Sequence, residues 1–282
     1  HVGRTMMSGF SNKLAFMTGG SSGIGLATAN LLAAQGCNLV LFARGQKMLD
    51  EACKTVKTKM KSSSQKVNAV SMDVADNDDV QQKIKLAVEK FGVPDILINS
   101  AGVGSGDYFE NISYEQFDRL LKINVYGTRN TVSAILPFMK QKGGGHIVNI
   151  ASVAGLIGMY GYSLYCTSKY AIVGFSECLR SELKRFNINV TLICPPEVKT
   201  PFIEEEAKTL PPEARIVKNL AGLLTPEQAA KAIVRGIQGR KFLFVPGLMA
   251  RSLLFWHRIS NGWLTRTPSD LIIKLAARRS RQ

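Results

Sequence analysis

The sequence predicts a doubly wound α/β fold: a parallel sheet of about seven strands with helices on both faces. Three observations carry this. Short β-rich runs alternate with longer segments of helical spacing. Several of the runs are apolar without polar alternation, as expected where both sheet faces are covered. A glycine cluster directly follows the first run and opens a helix, the arrangement of a phosphate-binding loop.

The β-rich runs are Leu14–Met17, Leu39–Phe42, Val67–Ser71, Ile96–Ile98, Ile147–Ile150, Asn189–Ile193 and Phe242–Val245. No linker, solenoid repeat or low-complexity segment divides the chain between them. With 282 residues it fits one large α/β domain. The expected organisation is an N-terminal tail over 1–12, a catalytic domain over 13–240 and a basic extension over 241–282.

Composition narrows the function classes. The chain is 45% hydrophobic and 20% charged, ordinary for a globular protein with a sizeable core. Its five cysteines (Cys37, Cys53, Cys166, Cys178, Cys194) form no Cys-x-x-Cys pair, which suits reduced, mostly buried thiols in a reducing compartment. The three histidines lie far apart, so no metal site is expected. A formal charge of +15 points to acidic ligands or an anionic surface. No nucleic-acid recognition motif accompanies it, and no apolar run is long enough to span a bilayer. A cytoplasmic protein, able to attach peripherally to a membrane, is expected.

The loop reads Thr18-Gly19-Gly20-Ser21-Ser22-Gly23-Ile24-Gly25. Gly19 permits a tight turn, Gly23 lets the backbone approach a pyrophosphate, and Gly25 lets helix pack on strand. The helix N-terminus then offers free N–H groups and the positive end of its dipole. A flexible turn would also use glycines, but not in this strand-to-helix position. The second run ends Leu41-Phe42-Ala43-Arg44. An NAD site usually carries an acid there, for the ribose 2′-hydroxyl. None occurs between Val40 and Leu49, where Arg44 and Lys47 stand instead. Cations suit a 2′-phosphate, so NADP(H) is the expected cofactor.

Tyr165 and Lys169 are four apart in the helical stretch Ser163–Phe186 and share a face. Ser152 follows the run Ile147–Ile150, at the sheet end where ligands bind. Asn124 falls in a central helix. Reducing a ketone needs a proton donor beside the hydride acceptor. A tyrosine hydroxyl has a pKa of about 10, and a neighbouring ammonium lowers it. A serine hydroxyl can hold the carbonyl oxygen as charge develops. Taken alone, a Tyr-x-x-x-Lys pair is a common way to pack or solvate a helix; beside a phosphate loop it reads as catalytic.

Thr18–Gly25, Asp73-Val74, Asn99-Ser100-Ala101-Gly102, Asn124, Ser152, Tyr165 and Lys169 resemble the short-chain dehydrogenase/reductases, in order and spacing, from Lys13 to about Gly239. The resemblance implies a seven-stranded Rossmann-type sheet. It implies Tyr165 as acid/base with Ser152 as its hydrogen-bonding partner. Lys169 would lower the tyrosine pKa and bind the nicotinamide ribose, and Asn124 would hold a water in the proton relay. Asp73 and Val74 would contact the adenine, and Asn99 would help fix the cofactor. The full cofactor set is then Gly19, Ser21, Ser22, Gly23, Ile24, Gly25, Arg44, Lys47, Asp73, Val74, Asn99, Ala101, Gly102, Tyr165, Lys169, Pro195, Val198 and Thr200. Gly158–Lys169, the double proline of Pro195–Pro201, Glu204-Glu205-Glu206 and Thr225–Gln228 are similar to the 3-ketodihydrosphingosine reductase branch. That implies NADPH-dependent reduction of a long-chain keto lipid. The acidic run would suit the amine of a sphingoid base, with Lys199 opposing it. Phe202 stands where that branch commonly has glycine.

Two other activities fit the same residues. One is reduction of a 3-oxoacyl group on a carrier protein, or of another lipid or steroid ketone. The other, outside catalysis, is an NADP-binding regulatory protein. A homodimer or homotetramer is open. The extension 241–282, with Arg240 before it, carries nine Lys/Arg against one acid, Asp270, with Trp256 and Trp263 interleaved. It either caps the substrate cleft or lies on an anionic membrane.

Overall fold

A computed structural model describes residues 9–218 and 221–279. The side chains of Phe202, Glu204, Glu205 and Val217 and of residues 276–279 lie outside the described part, as do residues 1–8 of the expected tail and 280–282 of the expected extension. Seven parallel strands form one sheet: β1 (Leu14–Thr18), β2 (Asn38–Ala43), β3 (Val67–Ser71), β4 (Ile96–Asn99), β5 (Gly145–Ile150), β6 (Ile188–Ile193) and, after a two-stranded ribbon β7 (Glu197–Val198) and β8 (Leu223–Leu224), β9 (Leu243–Phe244). The spatial order is β3-β2-β1-β4-β5-β6-β9, which reverses direction between β1 and β4. Ligands of such sheets bind at that switch point, beyond the carboxyl ends of the strands.

Alternation along each strand feeds two cores. Ala15 and Met17, Leu39 and Leu41, and Ile96 and Ile98 face helices α1 (Gly23–Ala34), α2 (Gln46–Lys57) and α9 (Pro226–Gln238). Phe16, Val40, Phe42, Leu97 and Ile147 face α3 (Asn77–Phe91), α5 (Gly127–Lys142) and α6 (Ser163–Leu183) on the other side. Both faces are covered, which is why several of the strands read as apolar runs without polar alternation. Helix starts follow local chemistry. Asp76 caps α3 by accepting from the N–H groups of Asp78 and Asp79. Thr225 and Gln228 close a capping box on α9 with Pro226 just inside it, so the Thr225–Gln228 motif is a helix start.

The expected boundaries shift at both ends. Phe10 is fully buried in the first core, and its carbonyl accepts from the Lys13 N–H at 3.0 Å. An aromatic side chain gains more from that burial than from a solvated tail. At the other end, Leu192 and Ile193 of β6 pair with Leu243 and Phe244, so the seventh strand lies past Arg240. The next helix, α10 (Leu248–Ile259), buries Ala250 and Leu254 against Ala151, Ile172 and Val245. The last, α11 (Trp263–Arg279), packs against α8 (Pro212–Lys218). Four of the five free cysteines are buried and Cys178 is exposed. No helix among the described residues is long and apolar enough to cross a membrane.

One buried titratable group ties β5 to β6. His146 Nε2 lies 2.8 Å from Thr191 Oγ1, while its Nδ1 is buried without a partner among the described residues. Burial, and then Arg240, push the imidazole down to about 3. Since the folded value lies below the unfolded one, the unfolded chain takes up the proton first. His146 therefore withdraws stability as pH falls through about 6.5 toward about 3, at up to about 1.4 kcal/mol per pH unit. Urea unfolding between about pH 6.5 and 4 should show a shallower loss of midpoint in His146→Gln than in the unsubstituted chain. Parallel slopes would contradict this.

Candidate active site

The phosphate loop is held by contacts that tolerate no extra atom. Gly19 has φ 67°, and a Cβ on it would meet the Ala101 nitrogen at 2.7 Å. A Cβ on Gly25 would occupy the place of the Gly19 carbonyl oxygen. Thr18 Oγ1 accepts from the N–H groups of Ser100 and Ala101 at 3.2 Å each, fastening β1 to β4 across the switch point. The loop is also tied to β2, whose Phe42 carbonyl accepts from the Gly19 N–H at 2.9 Å. Ser22 opens α1 in extended conformation without a side-chain cap. The first turn of α1 therefore keeps its N–H groups for an anion. Glycine cradle, uncapped helix end and switch point together fit a dinucleotide phosphate.

A cleft of about 240 Å³ runs from this loop to Tyr165. Of the expected residues, Gly19, Ser22, Gly23, Ile24, Gly25, Ala101, Gly102, Ser152, Tyr165, Lys169, Pro195, Val198 and Thr200 line it. Ser152 follows β5, where its Oγ accepts from the Ala154 N–H at 3.1 Å, and it hydrogen-bonds to Tyr165. Lys169 lies one turn along α6; its Nζ donates to the Ile150 carbonyl at 3.3 Å and sits 5.5 Å from the centre of the Tyr165 ring.

The electrostatics differ from the expectation that Lys169 lowers Tyr165. Burial first, and the Glu206 carboxylate second, hold the Tyr165 phenol above its ordinary range, against the pull of the Ser152 hydrogen bond. Burial also brings the Lys169 ammonium down to about 8. With its Nζ turned to the Ile150 carbonyl, Lys169 is not among the groups that move the phenol here.

Seven expected residues stand away from the cleft. Asn124 lies in a π-helical turn, Lys122–Tyr126, between α4 (Tyr114–Leu121) and α5 rather than in a regular helix. Its amide donates to the Val103 carbonyl at 2.9 Å and to Ser168 Oγ at 3.0 Å, and its oxygen accepts from the Val103 N–H at 2.8 Å. It clamps the loop after β4 to α6, one residue from Lys169. The Asn99 side chain is buried and committed to Asn149 and Thr131. Asp73 accepts from the Ala75 N–H, and the Val74 carbonyl accepts from Asn130, so both shape the turn after β3. Arg44 and Lys47 are exposed just past β2, and Ser21 belongs to the loop without lining the cleft.

Sequence reasoning missed part of the wall. Met159, Tyr162, Ile203, Glu206 and Lys218 line the cleft with no role assigned to them from spacing. Tyr162 precedes the Tyr165 helix by one residue, and Glu206 ends α7 (Pro201–Glu206). Glu206 stood in an acidic run already visible in the sequence; Lys218 belongs to no motif.

Residues 13–211 match the family model for the short chain dehydrogenase. A 3-ketodihydrosphingosine reductase of Mus musculus is 39% identical over 225 residues, covering 79% of this chain and 68% of that protein. A short chain dehydrogenase/reductase of Burkholderia phymatum, solved in complex with NAD, superposes with a TM-score of 0.77 at 28% identity, covering 88% of this chain and 92% of the other. The L-sorbose reductase of Gluconobacter frateurii, solved with NADPH and L-sorbose, gives 0.75 at 28% identity, covering 87% and 99%. A family match over residues 13–211, with a relative 39% identical over 225 residues, makes the chain a member of the short chain dehydrogenase family.

Proposed function

We propose that the chain reduces a ketone on a long-chain lipid to a secondary alcohol, with NADPH as cofactor and Tyr165 as proton donor. The observation that carries this is the Ser152–Tyr165 hydrogen bond at the end of the cleft opposite the phosphate loop. A nicotinamide bound along that cleft would supply the hydride. Ser152 would orient the carbonyl oxygen toward the phenol. As the carbonyl carbon gains hydride, its oxygen becomes basic, and the Tyr165 O–H bond breaks to give that oxygen its proton. A phenol held above its ordinary range stays loaded with that proton across the working pH. Lys169 stands beside it to stabilise the tyrosinate left behind, before solvent restores the proton. Asn124 is a positioning residue, since its amide fixes the loop and helix that carry the others. The keto sphingoid base is the substrate suggested by the relatives at 37–39% identity.

Arg44 supports NADPH over NADH. It follows the strand whose Phe42 carbonyl holds the phosphate loop, its main chain is pinned by the Ser71 hydroxyl at 2.8 Å, and its side chain is exposed. A cation there meets a 2′-phosphate with no acid in competition.

The C-terminal helices support attachment to an anionic membrane. None of the described residues lining the cleft comes from α10 or α11. The outer side of α10 leaves Leu248 82% and Ile259 65% exposed, and Trp263 at the start of α11 is 66% exposed. Beside them Arg235, Lys241, Arg251 and Arg258 border a groove of about 590 Å³ with Phe255 and Ile259. Apolar and aromatic side chains next to cations suit the interfacial zone of a bilayer.

Three measurements test these assignments. Tyr165→Phe should lose at least about two decades of turnover while NADPH binding, followed by nucleotide fluorescence, persists. Near-normal turnover would remove Tyr165 from the mechanism. Arg44→Asp should weaken NADPH by about one to two decades and spare NADH. Equal affinity of the unsubstituted chain for both cofactors would refute the assignment. The full chain should sediment with phosphatidylserine vesicles at low salt and be released at high salt, each basic residue near the surface adding about 1 kcal/mol. A protein that stays in the supernatant at low salt has no such surface.

A further inference from the structure

A groove separate from the cleft gathers cations without a counter-ion. Arg235, Lys241, Arg251 and Arg258 border it, and no acidic residue among the described residues does. It holds about 590 Å³ and shares no lining residue with the cleft. None of the four cations makes an ion pair among the described residues. Like charges gathered this way repel one another, so a bound anion would relieve the cluster. Arg251 is set in place for one. Its Nε donates to the Val245 carbonyl at 2.9 Å, and its guanidinium lies 5.9 Å from the centre of the Phe244 ring. The two terminal nitrogens of that fork remain for a ligand. The rest of the groove is apolar. Val245 and Leu254 line it as buried side chains, and Phe255 and Ile259 are 55% and 65% exposed.

We propose that this groove is a discrete binding site for a phosphomonoester lipid. The phosphate would lie against the three guanidiniums and the Lys241 ammonium, and the start of the acyl chains against Phe255 and Ile259. The inference rests on the lipid-facing reading of the C-terminal helices above and adds one saturable site with a preferred head group. Phosphate follows from the donors. A phosphomonoester carries a charge of about −1.5 to −2 near neutral pH on three acceptor oxygens, which answers four cations better than a single carboxylate does. Planar guanidinium forks match such oxygens two at a time. A lipid, rather than a soluble phosphate, follows from the exposed apolar side chains, which a hydrated head group alone would leave uncovered. A second copy of the chain, with its own formal charge of +15, is a poor match for the same cations.

The test is equilibrium dialysis of the full chain against dioctanoyl phosphatidic acid, kept monomeric. Glycerol 3-phosphate, dioctanoylglycerol and dioctanoyl phosphatidylserine serve as comparison ligands. Phosphatidic acid should saturate at one lipid per chain and bind at least about tenfold more tightly than each of the others. Arg258→Gln removes a cation whose side chain is exposed, and should weaken that binding by about ten- to a hundredfold. Arg235→Gln, on α9, repeats the test from a second helix. Lys274→Gln takes the same charge from the extension outside the groove and should change the affinity by less than about twofold. Equal binding of glycerol 3-phosphate overturns the lipid assignment, and equal binding of phosphatidylserine overturns the phosphomonoester one. An affinity unchanged in Arg258→Gln and Arg235→Gln, or lowered as much by Lys274→Gln, overturns the groove. A chain that sediments with phosphatidylserine vesicles but does not saturate with phosphatidic acid keeps the membrane reading and loses this site. One that saturates yet stays in the supernatant keeps the site and loses the membrane reading.

Discussion

A line of four buried polar side chains holds the catalytic end of the sheet together. Thr131 Oγ1 donates to Asn99 Oδ1 at 2.7 Å, Asn99 Nδ2 to Asn149 Oδ1 at 2.9 Å, and Asn149 Nδ2 to Ser176 Oγ at 2.9 Å. It runs from α5 through β4 and β5 to α6, and all four residues are at most 3% exposed. The amides of Asn99 and Asn149 find their partners in this line, and a buried amide left unpaired would cost about 1–3 kcal/mol. The line fastens the two central strands to each other and to one helix on either side. Asn124 lies at the entry to α5, and Tyr165 and Lys169 lie on α6. Their mutual placement is inherited from this line.

The same constraint divides the cleft into two kinds of wall. The loop, Ser152 and the α6 residues stand on strand ends and a long helix, which precise positioning of reacting groups requires. The facing wall comes from the short elements β7, α7 and α8, joined to one another chiefly through Lys218 and its two carboxylates. Chemistry therefore sits on rigid supports. The wall that faces them stands on short elements held by ionic contacts.

Much of this was legible in the chain. The seven β-rich runs coincide with the observed strands to within two residues at each end, several of them apolar because a strand covered on both faces has little use for polar side chains. The glycine loop was equally plain, since Gly19 and Gly25 sit where any other residue collides. Phe10 was not readable as core, for a single aromatic outside any periodic segment carries no local signal. The π turn at Asn124 was hidden because its five residues, KINVY, continue a good helical pattern. Asn99, expected to help fix the cofactor, has its side chain bonded to the distant Thr131 and Asn149, partners that no local pattern announces. The Glu197–Lys218–Glu206 cluster draws on three segments of the chain, and no spacing rule connects them. The motif was visible where one element makes the geometry and invisible where tertiary contact makes it.

The short seventh strand has a further consequence. Beyond β9 the sheet has no neighbour among the described residues, so its outer row of backbone groups is an open edge. Such edges invite another chain to add a strand and continue the ladder. Here the ladder is only Leu243 and Phe244, and Pro246, without an N–H, follows before the chain turns into α10. Two residues give a stray strand almost nothing to pair with. The edge is thus poorly suited to seed fibrils, even where neighbouring molecules crowd together on one surface.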